Sequence, residues 1–107
     1  MAFTINMHYI RPSTDVAWPH TCPWLTAEQL AEKDQYWQTT YIDTGLILER
    51  TFTTSDNGLE LDVTTVFKDE AAHQEFQSDF TWWDRFFSER SKYVTDNNVS
   101  MNLTINA

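Results

Sequence analysis

The chain is poor in residues that staple, bend or carry positive charge. One of its 107 residues is cysteine, so Cys22 has no partner for an intrachain disulfide and no thiolate metal cluster can assemble. A lone thiol suits a reducing compartment, and a cytoplasmic location is expected. Residues 1–6 lack the basic start and long apolar run of a secretory signal. No apolar stretch approaches the roughly 20 residues that span a bilayer. Two glycines and three prolines leave little room for linkers or disorder. Seven Lys and Arg stand against sixteen Asp and Glu, a net charge of −9. Phosphate backbones and anionic membrane surfaces are bound by clustered Lys and Arg, so neither nucleic acid nor membrane is expected as a partner.

What the chain has is aromatic mass, 15% of its residues, with five Trp and seven Phe. At the length of one domain, 1–107, this is enough to build a core. The patterning sets the elements. Phe3, Ile5, Met7 and Tyr9 alternate with Thr4, Asn6, His8 and Ile10, which is a strand with one buried face, ended by Arg11-Pro12. Residues 12–25 hold all three prolines with Trp18 and Trp24, and are expected to fold back as a cover. Thr26 and Gln29 have capping-box spacing and open a helix, with Ala27, Leu30, Ala31, Trp37 and Tyr41 inward, Glu28, Glu32 and Lys33 outward, and Gly45 as the stop.

A second strand runs over about 46–54, with Leu46, Leu48 and Phe52 on its apolar side. Arg50 interrupts that side, which points to a sheet edge. Asn57-Gly58 is read as a type I′ hairpin turn. The strand after it, about 59–67, places Leu59, Leu61, Val63 and Phe67 inward and Glu60, Asp62 and Thr64 outward. Asp69 caps a second helix with Ala72, Phe76, Phe80, Trp83 and Phe87 as its buried stripe. Trp82 and Phe86 widen the stripe, either as a broad core contact or as a partner surface. Val99, Met101, Leu103 and Ile105 alternate in a last strand. The order β-α-β-β-α-β predicts one α+β domain, a ferredoxin-like sandwich with antiparallel sheet order 4-1-3-2 and two helices on one face.

The segment Leu61–Phe76, LDVTTVFKDEAAHQEF, resembles the third strand and second-helix entry of dimeric α+β barrel proteins, in particular the antibiotic biosynthesis monooxygenase family. The resemblance implies a homodimer in which two sandwiches pair through their helix-free sheet faces, each keeping a pocket between sheet and helices. It implies oxygenation of aromatic substrates without a cofactor, or haem degradation. The haem-degrading branch uses a strand-1 Asn, for which Asn6 could stand, and a helical Trp and His ten residues apart. Phe76 and Phe86 occupy that pair here, so the haem ligand is missing and no cofactor is expected.

Several residues carry candidate chemistry. His8, on the polar side of its strand, falls near Asp62 or Glu60 and Asn102, where an imidazole beside a carboxylate is a general base or a switch, or simply a polar side chain at an interface. His8, Asn6 and Asp62 are the candidate catalytic set, read as the polar groups of an aromatic pocket. Trp18, Trp24, Trp37, Phe80 and Trp83 are the candidate walls of an apolar pocket, with the Trp18–Trp24 loop as its cover. Glu49, Glu60 and Asp62 share a face but lack a ligand spacing, and His20-Thr21-Cys22 has no second pair nearby, so no metal is expected. The leading reading is a small-molecule-binding homodimer acting on an aromatic or apolar ligand, without metal or organic cofactor. The alternative is a non-catalytic acidic protein that binds a protein partner.

Overall fold

A computed structural model describes residues 1–106. Strands β1 (Phe3–Ile10), β2 (Ile47–Thr54), β3 (Glu60–Phe67) and β4 (Ser100–Ile105) form one antiparallel sheet. Its order is β2-β3-β1-β4, the expected order read from the other edge. Against one face lie α1 (Ala27–Trp37), extended by a wider π turn at Gln38–Ile42, and α2 (Glu70–Ser78), α3 (Phe80–Phe87) and α4 (Arg90–Asp96). No helix among the described residues is long and apolar enough to cross a membrane.

The alternation in β1 and β3 is kept. Register pairs Tyr9 with Leu61 and Met7 with Val63 on the helix side, and His8 with Asp62 and Asn6 with Thr64 on the other. Both expected helix starts are built: Thr26 and Gln29 close a reciprocal capping box, and the Asp69 carboxylate accepts from Ala72 N–H. The core centres on Tyr41, Ile47, Phe67, Ala72, Trp83 and Phe86. A second cluster of Tyr9, Leu61, Val63 and Val99 fills the opposite end.

Four local expectations are corrected. The hairpin is not type I′, because Gly58 has a positive φ of 74° and Asn57 does not. Asn57 works through its side chain, accepting from Ser55 Oγ and Leu59 N–H, while Gly58 N–H closes the turn onto Ser55 O. In β2 a bulge between Ile47 and Glu49 shifts the parity. Ile47 is therefore buried and Leu48 is 60% exposed, where simple alternation put Leu46 and Leu48 inside. In α1, Ala27 and Ala31 are exposed and Lys33 turns inward, its side chain 15% exposed. The helix touches its neighbours along Leu30, Lys33, Tyr36 and Trp37 instead.

The second helix is three helices, not one. Asp79 breaks it, with φ −80° and ψ −3°, in the bridge region between helix and turn. The Asp79 carboxylate is turned toward α1, where it accepts from the hydroxyls of Tyr36 and Tyr41. Trp83 Nε1 then donates to Tyr41 Oη at 3.1 Å, so Tyr36 of α1, Tyr41 of the π turn and Trp83 of α3 share one hydrogen-bonded chain through Asp79. The break also uses up the widened stripe: Phe86 is 2% exposed, and Trp82 stacks on Tyr36 with centroids 3.7 Å apart. Phe86 is therefore core, while Trp82 is half-buried and packs against that core from outside.

Candidate functional site

Between the sheet and the helical layer lies a partly enclosed cavity of about 240 Å³. Ile5, Met7, Val63 and Phe67 form its floor, and Trp37, Phe76, Phe80, Trp83 and Phe87 form its walls. The aromatic faces meet edge to face around it, as with Phe76 and Phe80 at 5.3 Å and Trp37 and Phe76 at 5.9 Å. Phe80 remains 37% exposed, which places it at the rim.

Polar groups enter this apolar space at a few points. His73 is buried on α2, stacked on Phe3 at 4.8 Å and edge-on to Phe67 at 5.1 Å. Burial lowers its pKa from the ordinary 6.5, which favours the neutral imidazole. Thr65 is buried beside it in the lining. His20, from the cover loop, is pushed down to about 4 by burial and then by the positive charges of Arg50 and Lys33. Its Nδ1 is buried without a hydrogen-bond partner among the described residues. Arg50 completes the mouth, its guanidinium 4.9 Å from the ring centroids of both Trp37 and Phe52.

The candidate residues divide between two places. Trp37, Phe80 and Trp83 line the cavity. Trp18 and Trp24 do not: Trp18 lies under the Arg11 guanidinium at 4.0 Å, and Trp24 Nε1 donates to Phe86 O at 2.6 Å, beside Tyr93. The loop reaches the cavity through Pro19 and His20 instead. His8, Asn6 and Asp62 do come together, but on the opposite, helix-free face, because strand parity sends positions 6, 8 and 62 away from the helices. There His8 Nδ1 lies 2.8 Å from Asp62 Oδ1, and Asn6 Nδ2 donates to the same oxygen at 3.0 Å. Glu60 Oε1 is 3.2 Å from His8 Nε2, and Thr64 Oγ1 donates to Asn6 Oδ1 at 2.8 Å. The Asp62 hydrogen bond raises the His8 pKa. The Asn6 hydrogen bond, then that of His8, lowers the Asp62 pKa.

His73, Thr65 and Arg50 were missed as cavity groups. His73 had a legible signal: it precedes Phe76 by three and Phe80 by seven residues, which is the spacing of the buried stripe. Arg50 shares parity with Phe52, so its place on the inner side was also legible. Thr65 follows Leu61 and Val63 in phase. Among the described residues no group of three His, Cys, Asp or Glu is placed to hold a metal ion.

No family model matches the chain, and no curated protein does. Solved structures match it in fold. A dimeric ferredoxin-like protein from an uncultured marine organism aligns over 97% of this chain and 92% of its own, with a TM-score of 0.52 and 9% identity. A second dimeric ferredoxin-like protein of such origin aligns over 99% and 88%, with a TM-score of 0.58 and 10% identity. Rv0793 from Mycobacterium tuberculosis aligns over 98% and 93%, with a TM-score of 0.53 and 12% identity. At such identities the likeness establishes a shared ferredoxin-like fold.

Proposed function

We propose that this protein binds an aromatic or apolar small molecule in the cavity between its sheet and its helices, and that it works as a homodimer joined through the helix-free sheet faces. The observation that carries the reading is the cavity of about 240 Å³ walled by Trp37, Phe76, Phe80, Trp83 and Phe87. Concave, mostly apolar sites with a few convergent polar groups are the usual form of a small-molecule site, and His73, Thr65 and Arg50 are such groups. Two structural neighbours described as dimeric support the homodimer.

In the dimer Asn6, His8 and Asp62 lie between the subunits. Their mutual hydrogen bonds satisfy polar groups that an interface desolvates. The resemblance over Leu61–Phe76 suggests a finer reading, oxygenation of an aromatic substrate without metal or organic cofactor. In the cavity the neutral His73 is then the group to accept a hydrogen bond from a phenolic hydroxyl.

Native mass spectrometry of the purified protein, under gentle and then denaturing conditions, tests the proposal. The expected spectrum is a dimer carrying a small molecule that is released on denaturation. A bare monomer contradicts both halves of the reading.

A further inference from the structure

Charge is unevenly distributed in this acidic chain. Three of its seven Lys and Arg, Lys33, Arg50 and Arg90, line the one cavity described above, while of its sixteen Asp and Glu only Asp34 does. The three cations converge at one end. Arg50 and Lys33 both act on His20, and Arg50 and Arg90 both act on Tyr9. Of the four cations elsewhere, two are paired with acids, Arg85 with Glu32 at 3.3 Å and Lys92 with Asp96 at 2.7 Å, and Lys68 is exposed on the surface. Arg11 is bound into the fold by the carbonyls of Gly58 and Val16. Among the described residues, neither Arg50 nor Arg90 has a carboxylate within ion-pair distance, and Lys33 has only Asp34 at 3.4 Å.

Arg50 is the best presented of the three. Trp37 and Phe52 sit under its guanidinium, each 4.9 Å away. A cation–π contact spends none of the guanidinium's N–H donors. A planar fork of donors matches a carboxylate in bidentate fashion. The remaining lining is aromatic and aliphatic, so whatever the fork holds must carry an apolar body. A cavity of about 240 Å³ lies below the roughly 300–1,000 Å³ of sites for drug-sized ligands, which limits that body to one or two rings.

Resting on the small-molecule reading above, we propose that the cavity takes a small aromatic acid, with the ring among Trp37, Phe76 and Trp83 and the carboxylate on Arg50. Lys33 and Arg90 add long-range attraction. Asp34 opposes them and disfavours ligands of higher negative charge.

The test is calorimetric titration with benzoate, phenylacetate and 2-naphthoate, each beside its neutral amide, on wild type, Arg50→Gln, Arg50→Lys and Arg85→Gln, all checked for a native thermal melt. The expected result is that at least one acid binds more tightly than its amide. Arg50→Gln should then weaken that acid by about ten- to a hundredfold, the loss of one charge-assisted pair, and leave the amide unchanged. Arg50→Lys should keep part of the preference, and Arg85→Gln, which removes the same charge outside the cavity, should keep all of it. Acid and amide binding equally, with Arg50→Gln neutral for both, overturns the acid proposal and leaves the small-molecule reading standing. No binding of any member overturns both.

Discussion

His8 and Asp62 carry the clearest pH signature of any residue pair in the molecule. The hydrogen bond to Asp62 raises the His8 pKa above 6.5, and the hydrogen bonds from Asn6 and His8 lower the Asp62 pKa below 3.8. The pair therefore stabilises the fold while His8 is protonated and Asp62 ionised. The His8 part is fully present below 6.5 and is lost as pH rises through its raised value. The Asp62 part is lost as pH falls through its lowered value. Both side chains are partly exposed, so the alkaline loss is about 0.2–1 kcal/mol. His20 and His73 have lowered pKa values and lose stability on the acid side instead, which leaves the alkaline limb to His8 among the histidines. Urea melts between roughly pH 5 and pH 9 check this. Wild type should weaken toward the alkaline end and His8→Asn should stay flatter there, whereas parallel curves contradict the assignment. The juxtaposition itself was legible, since antiparallel pairing of two alternating strands puts His8 opposite Asp62. Its face relative to the cavity was equally fixed by parity, because Asn6, His8 and Asp62 are out of phase with Tyr9 and Val63. Treating these three as groups of the aromatic cavity set that parity aside.

At the scale of elements, the starts were legible and the interruptions were not. Thr26 with Gln29, and Asp69, are local signals whose hydrogen bonds close within three residues, so the sequence alone is enough to place them. The bulge at Ile47–Glu49 and the break at Asp79 answer to partners far away in the chain: Phe67 and Val66 across the sheet, and Tyr36 and Tyr41 on the facing helical segment. No window of local sequence contains both sides of such contacts. The α1 helix has no fully buried residue and is held by the packing of Tyr36 and Trp37 together with its capping box. Thr26→Ala should lower stability by about 1 kcal/mol, a fall of about 4–8 °C in Tm for a domain of this size, and Thr26→Asp should retain most of it. A thermal melt followed by circular dichroism checks this, and an unchanged Tm for Thr26→Ala means that the box carries no weight.

On the scale of the whole molecule, sheet order followed from element order, but the cavity did not. Its existence depends on how the helical layer packs over the sheet, and that depends on contacts between residues far apart in the chain, such as Trp83 with Tyr41 and Phe76 with Phe67. Leu103 and Ile105, on the apolar side of the last strand, are left 51% and 50% exposed. Concentrating Lys33, Arg50 and Arg90 around one opening is likewise visible only once three distant segments are brought together. The central claim is that a small molecule sits among Trp37, Phe76 and Trp83. It is tested most directly by following the five Trp indole N–H signals by NMR while adding 2-naphthoate, with 2-naphthamide in parallel. The signals of Trp37 and Trp83 should move, while those of Trp18 and Trp24, which do not line the cavity, should stay in place. Movement confined to Trp18 and Trp24, or no movement at all, contradicts the account.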